Sequence, residues 1–564
     1  MVLPTSPPNT MDVGTNIYVE FGIPASTLKY ISRDLFPLVG GPESTLCYLG
    51  ASFSGKRRVT YLGSSKIDGT GNEYVRGIAC DGSGNVYVVG EYGTLSARIS
   101  NFGVNPSGTA GTLPSTAAGL ASAFIAKWNA SGTYLGSAYV NGTVADIGYG
   151  IACDVSGNVY ISGSYGSSTA TATITNFGVN PSGTAGTLPV TAGSAGAFIA
   201  KWNASGTYLG SAKVDGASAD TGRSVACDVS GNVYVGGQYG TSAATISNFG
   251  VNPSGTAGTL PATAGAGAFV AKWNASGTYL GSAKVDGTAT DIGYGVACDG
   301  SSNVYLVGEY GTALATITNF GVNPSGTAGT LPATAGLASA FIAKWNASGT
   351  YINSAYVNGT GNEGGYGVAC DGSSNVYLVG EYGTALATIS NFGVNPSGTA
   401  GTLPATAGLA SAFIAKWNAS GTYLGSAYVN GTAADIGRSV ACDVSGNVYV
   451  GGEYGSVTAT ATITNFGVNP SGTAGTLPVT AGSYGAFIAR WNASGTYLGS
   501  AKVDGAGGDV GNAVACDGSS NVYLGGYYGA SAATITNFGV NPSGTAGTLS
   551  ATGGLGAFIA KWSV

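Results

Sequence analysis

Twenty-six carboxylates, twenty lysines and arginines, eight cysteines and no histidine make up the reactive side chains of this 564-residue chain. Without histidine, the commonest general base and metal ligand near neutral pH is missing. The carboxylates are ordered. Seven stand at one equivalent position of a repeated unit: Glu73, Asp146, Asp220, Asp291, Glu363, Asp435 and Asp509. Seven more stand at another: Asp81, Asp154, Asp228, Asp299, Asp371, Asp443 and Asp517. Asp68, Asp215, Asp286 and Asp504, and also Glu91, Glu309, Glu381 and Glu453, occur in some copies only; Asp12, Glu20, Asp34 and Glu43 precede the repeats. Hydrolysis by a carboxylate pair needs two acids in different surroundings, so that one keeps its proton. Sevenfold copies of one surrounding do not supply that, so the pattern argues against an enzyme. Seven carboxylates around a common axis suit Ca²⁺ or another hard cation instead, and the set beginning at Glu73 is the metal candidate. The competing reading is that Asp in D-x-S-G-N bonds its own turn.

The other reactive groups repeat as well. Cys47 stands apart, while Cys80, Cys153, Cys227, Cys298, Cys370, Cys442 and Cys516 occupy one position per unit. Their setting, GIACD or SVACD, is a short apolar strand in which cysteine acts as a small hydrophobe. No C-x-x-C spacing is present to hold a metal. Lys127, Lys201, Lys272, Lys344, Lys416, Arg490 and Lys561 also recur once per unit; stems packed between units, with heads paired to nearby acids, account for them. Asn-Ala-Ser and Asn-Gly-Thr steps such as Asn129–Ser131 and Asn141–Thr143 read as turns rather than glycosylation sites.

The elements that must carry these groups are short strands. The stretch AFIAKWNASGTYLGSA at 123–138 recurs seven times, and all seven tryptophans lie in it: Trp128, Trp202, Trp273, Trp345, Trp417, Trp491 and Trp562. Their spacings of 71 to 74 residues tile one unit along nearly the whole chain. Each unit reads as four strands separated by turn signals, the mark of an all-β assembly. In the first copy these are a (Val75–Asp81), b (Asn85–Gly90), c (Ala123–Asn129) and d (Tyr134–Val140). The last c strand, Ala557–Trp562, has no d strand after it; RVTYLGSSKI, Arg58–Ile67, supplies one ahead of the first a strand. The chain is therefore expected to close a seven-bladed β-propeller, with Arg58, Tyr61 and Ile67 pairing against Ala557, Phe558 and Trp562. Closure removes the exposed sheet edge.

Between b and c, NFGVNPSGTAGTL stands without change in all seven units. A structureless loop of that length is unusual in a compact domain, so a lid or supplementary strand on each blade is expected. Residues 1–55 lie outside the repeat and read as a small helical or irregular segment; Ile31, Leu35 and Leu38 mark the apolar face with which it would anchor. A net charge of −6 argues against nucleic acid as the main partner. No apolar run approaches a membrane span, and the N-terminus lacks the pattern of a secretory signal.

The unit at 123–166, AFIAKWNASGTYLGSAYVNGTVADIGYGIACDVSGNVYISGSYG, resembles the SBBP β-propeller repeat, whose AFVAKL-, GYGIAVD- and NVYVTG-type strands follow in the same order. The likeness covers roughly 56–564. Trp in KWN departs from the family's Leu, and the b–c segment is this chain's own. The family implies a propeller and carries no catalytic motif. TMDVGTNIYVEFG (10–22), ISRDLFPLVG (31–40) and LGASFSGK (49–56) resemble a short adapter module at the start of bacteriophage virion proteins. That likeness implies a structural protein of the virion, a tail fibre, spike or capsid decoration. It would be anchored to a tail or capsid protein through 1–55, with host-surface glycan as the expected partner. A bacterial cell-surface or filament-forming repeat protein is the alternative.

Overall fold

A computed structural model describes residues 59–563, apart from 94, 116–119, 168, 312 and 407. Arg58 and the anchoring residues Ile31, Leu35 and Leu38 therefore lie outside the described residues, as does the helix-like stretch around them. Among the described residues there are forty-two strands and no helix. They form seven antiparallel six-stranded sheets.

The blade that begins with a (Tyr74–Cys80) continues with b (Val86–Tyr92), c (Ser122–Trp128) and d (Tyr134–Asn141), within about two residues of the limits expected. Two further strands then follow outward, e (Ala172–Ile174) and f (Gly186–Leu188). Four strands per blade were expected and six are present. The extra pair is not the blade's own: e and f come from the b–c connection of the next unit. The reason is positional. Strand d ends on the same face where the neighbour's strand b ends, and its outer edge would otherwise be unpaired.

The ring closes as the repeat count requires. Strand d of the last blade is Thr60–Asp68, and it runs antiparallel to the final strand, Gly556–Ser563, with Tyr61 opposite Trp562 and Ile67 opposite Ala557. Phe558 faces Lys66. The first unit's e and f, Ala97–Ile99 and Gly111–Leu113, then extend that same blade.

Strand b is buried along its whole length, on both faces, because each blade is flanked by two others. That is why NVYVVGEY reads as a continuous apolar run rather than an alternating one. Seven apolar clusters result, each drawn from two neighbouring blades; Val88, Phe124 and Trp128 of one blade pack with Tyr523 and Ile559 of the blade before. Half-buried cysteines complete these clusters, Cys80 in the same one.

Each tryptophan is the junction of three segments. The Trp128 indole N–H donates to the Ser100 carbonyl at 2.9 Å, and the six other tryptophans make the same bond. Its ring stands edge-on to Phe102 of NFG at 6.0 Å and to Tyr134 of strand d at 5.8 Å. A buried indole needs an acceptor, and here the b–c segment supplies it. The tryptophan of strand c and the long b–c segment are thus one device. Gly132 of the NASGT turn serves it too: with φ at +86°, it passes where a Cβ would lie 2.6 Å from the Cβ of Phe102.

The same segments form an outer belt. The Thr112 N–H and hydroxyl donate to Asn180 Oδ1 at 3.0 and 2.8 Å. The bond recurs from Thr187 to Asn252, Thr259 to Asn323, Thr330 to Asn395, Thr402 to Asn469 and Thr476 to Asn541. It returns from Thr548 to Asn105 across the closure. The belt caps the outermost strand of every blade.

Candidate functional site

The two sevenfold acid sets occupy well-defined places, and neither lines the central cavity. At the a–b turn, Asp81 Oδ1 accepts the amides of Ser83 and Asn85, both at 2.9 Å, and Oδ2 accepts the Asn85 amide group and the Tyr87 hydroxyl. This is the turn chemistry that D-x-S-G-N suggested, repeated in every blade.

The metal candidates at the d–a loops are buried and separate. Asp146 accepts the Gly142 amide at 2.6 Å and the Gly166 amide at 3.1 Å, tying strand d to the end of strand b. Asp220, Asp291, Asp435 and Asp509 repeat both bonds. Glu73 and Glu363 reach the amides of Gly69 and Gly359. Burial pushes Asp146, Asp220 and Asp435 up to about 7 and Asp291 and Asp509 to about 6, against the pull of the two amides. Glu73 rises to about 7 and Glu363 rises as well. Among the described residues no three acid or thiol groups converge as metal ligands.

The repeated lysines are interlocks between blades. Lys127 Nζ donates to the Ala204 carbonyl in the next blade's NAS turn at 2.9 Å and lies 4.9 Å from the centre of the Tyr87 ring. The ammonium head bonds a carbonyl and an aromatic face, where a carboxylate partner had been expected. Asn129 Oδ1 accepts the Ser131 hydroxyl and the Thr133 amide, so the sequon-like step is a turn.

What remains is a cavity of about 450 Å³ lined by the innermost strands of all seven blades. The third residue of each a strand projects there: Arg76, Tyr149, Arg223, Tyr294, Tyr366, Arg438 and Asn512. Each is the extra residue of a β-bulge. Val75 faces Gly90 and Gly77 faces Val89, so Arg76 has no partner across the a–b pair, and the same shift recurs in the six other blades. A bulge re-aims a side chain out of the ladder. Here seven bulges aim seven side chains at one mouth.

The mouth is chemically uneven. Arg76 pairs with Glu91 at 2.6 Å and Arg438 with Glu453 at 2.7 Å. Arg223 meets only the neutral Gln238, whose Oε1 accepts Nη2 at 3.0 Å and Nε at 3.3 Å. The Tyr294 hydroxyl donates to Glu309 at 3.1 Å and that of Tyr366 to Glu381 at 2.6 Å. Arg76, Tyr149, Arg223, Tyr294 and Tyr366 form a continuous band. Guanidinium-to-ring distances run from 4.9 to 5.6 Å, and the last two rings stand edge to face at 4.9 Å. Desolvation raises Glu309 and Glu381, with the Tyr294 and Tyr366 hydroxyls and then the Arg223 and Arg438 charges pulling the other way.

Sequence reasoning missed this site. Glu91, Glu309, Glu381 and Glu453 occur in some copies only, and the argument from sevenfold symmetry does not reach them, because their partners differ. The signal was available: in nearly identical units the third residue of strand a changes between Arg, Tyr and Asn, and fifteen residues later Glu, Ser, Gln or Tyr answers it.

The mouth also has a direction. The bulged residues lie toward the d–a end of strand a, where Tyr74 pairs with Glu91. Thr60, which opens the first described strand, lies at the opposite, a–b end, across from Ser563.

No family model matches the chain. Among curated proteins it is similar to an uncharacterized WD repeat-containing protein of Acanthamoeba polyphaga mimivirus, 24% identical over 411 residues. That match takes in 65% of this chain and only 28% of the relative's length. Among solved structures it is similar to the C-terminal WD40 domain of Sif2, at 8% identity and a TM-score of 0.34, covering 89% of this chain and 98% of that one. Sqt1 from Chaetomium thermophilum aligns at 9% identity and a TM-score of 0.34, over 88% and 91%. The Trp-Asp pair characteristic of WD repeats is absent: each Trp here is followed by Asn or Ser. The strand topology itself identifies the described part of the chain as a closed seven-bladed β-propeller.

Proposed function

We propose that this chain is a non-enzymatic structural and recognition protein of a virus particle. In this reading residues 1–55 hold it to a tail or capsid protein, and the propeller presents the bulge-lined mouth to the host surface. The observation that carries the recognition role is the mouth itself. Seven bulged side chains, rich in the Arg and Tyr that dominate binding hot spots, converge on one cavity, and they differ from blade to blade while the frame does not. The mouth lies at the d–a end of the strands, opposite the end at which Thr60 opens the first described strand. The virion placement draws on the adapter-like stretches 10–22, 31–40 and 49–56 and on a viral relative.

Mass spectrometry of purified particles tests the placement. The reading expects stoichiometric peptides from this chain in washed virions. Recovery from the surface of uninfected bacteria, and never from particles, would replace it with the cell-surface alternative.

A further inference from the structure

We propose that the central mouth binds an acidic sugar, with Arg223 taking the carboxylate. The proposal rests on the recognition role above and adds the ligand's chemical class. Of the three guanidiniums at the mouth, Arg76 and Arg438 are already neutralised by Glu91 and Glu453. Arg223 is not. Its one hydrogen-bonding partner among the described residues is the side-chain carbonyl of Gln238, which brings no charge. Its guanidinium lies over the rings of Tyr149 and Tyr294, at 5.6 and 4.9 Å, and the residue lines the cavity; Gln238 takes Nε and one Nη2 proton, which leaves Nη1 and the other Nη2 proton to donate. A fixed guanidinium recognises a carboxylate through two parallel N–H bonds.

The neighbours decide what kind of carboxylate. The next two blades bring Tyr294 and Tyr366 to the cavity wall; their hydroxyls donate to Glu309 and Glu381, which do not themselves line the cavity. Ser224, Ser439 and Asn512 line it as well: the serine hydroxyls accept the Val296 and Val514 amides and keep an O–H to donate, and Asn512 donates Nδ2 to the Val75 carbonyl and keeps Oδ1 as an acceptor. A ligand that fits must therefore carry an acid group and several hydroxyls within a few ångströms of it, and must tolerate aromatic walls. A uronic or sialic-type sugar has all three. An acidic peptide has the carboxylates and few hydroxyl donors, and the one guanidinium without an ion pair answers only one of its acids. Neutral sugars leave Arg223 uncompensated.

The full-length chain is titrated calorimetrically with 3′-sialyllactose, a glucuronic-acid disaccharide, lactose and a tetra-glutamate peptide. Binding of one or both acidic sugars is expected, with lactose and the peptide at least about tenfold weaker, the worth of one charge-assisted pair. Arg223→Gln should remove that preference with an unchanged melting temperature. Arg98→Gln, an exposed arginine on an outer strand away from the mouth, should change affinity by less than about twofold. Equal binding of lactose, preference for the peptide, no binding of any sugar, or an unaltered Arg223→Gln variant would each overturn the proposal. Release of hydrolysed sugar during the titration would instead contradict the non-enzymatic reading. The particle assay and this titration fail independently.

Discussion

At the rim of the propeller NFGVNPSGTAGTL stands unchanged in seven units, whereas at the channel mouth the third residue of strand a is Arg, Tyr, Arg, Tyr, Tyr, Arg and Asn in turn. The two regions belong to the same repeats and differ in what geometry asks of them. At the rim the asparagine, phenylalanine and threonine side chains close contacts that tie the segments together. Asn101 accepts the Tyr134 amide, Phe102 meets Trp128, and Asn180 caps Thr112. One altered unit would break a ring of seven. At the mouth the bulge has removed the residue from the ladder, so its identity is free of the frame. The rim holds the shape, and the mouth carries whatever is specific.

Substitutions that separate the two regions should differ most. Trp273→Ala leaves a cavity, orphans the Ser247 carbonyl and frees Phe249 and Tyr279; a loss of about 3–5 kcal/mol is expected from chemical denaturation. At the mouth, Arg223→Gln or Tyr149→Ala should alter stability by no more than about 1 kcal/mol. Comparable losses at the two places would end the distinction.

Acidity sharpens it next. Six of the d–a carboxylates have folded values raised to about 6 or 7 and Glu363 is raised as well, all above those of an unfolded chain. The folded state therefore binds protons more tightly, and its stability is fullest below the unfolded value and lost as pH rises through 6 to 7. Thermal melts should show a midpoint several degrees higher at pH 5 than at pH 8. A midpoint that climbs with pH would mean these carboxylates stay ionised when buried.

Two smaller effects test the fine structure of the frame. Asn323→Ala removes one clasp of the outer belt and should cost about 1 kcal/mol, with faster hydrogen exchange at Gly258–Leu260. The a–b turn offers a gain. Glycine takes the left-handed position in D-x-S-G-N, at Gly84 for instance, but Ser302, Ser374 and Ser520 hold it in three blades with φ near +60°. Ser374→Gly should stabilise by roughly 0.5–1 kcal/mol; a loss would show that the serine contributes more than its strain.

Much of the frame was legible because repetition made it arithmetic. Seven Trp-bearing strands with six following d strands, and RVTYLGSSKI standing alone in front, left one way to complete the ring. The self-bonded turn at Asp81 was legible too, since Asp and Asn at that spacing reach each other locally. Strands e and f were half legible: ATITNFG alternates like a strand, but nothing in a linear pattern says which blade's edge it will cover. The mouth was missed for a different reason. A bulge shifts register by one residue with no turn residue to mark it, so Arg223 reads as an ordinary strand position, and only the variation at that position between nearly identical units gives it away. The carboxylates of Glu309 and Glu381 looked equivalent to Glu91 until their partners on strand a were known.

The closure of the ring on its own first strand underlies all of this, and an engineered disulfide tests it most directly. Thr60 and Ser563 are cross-strand partners 503 residues apart, and directly opposed antiparallel residues fall at about 4.5–5.5 Å between Cα atoms, within disulfide range. In the full-length chain carrying Thr60→Cys and Ser563→Cys, mild oxidation should give a single 60–563 linkage by peptide mapping, with a raised melting temperature. Failure of these two positions to join, or joining of either to another cysteine in preference, would contradict a propeller closed by its own N-terminal strand.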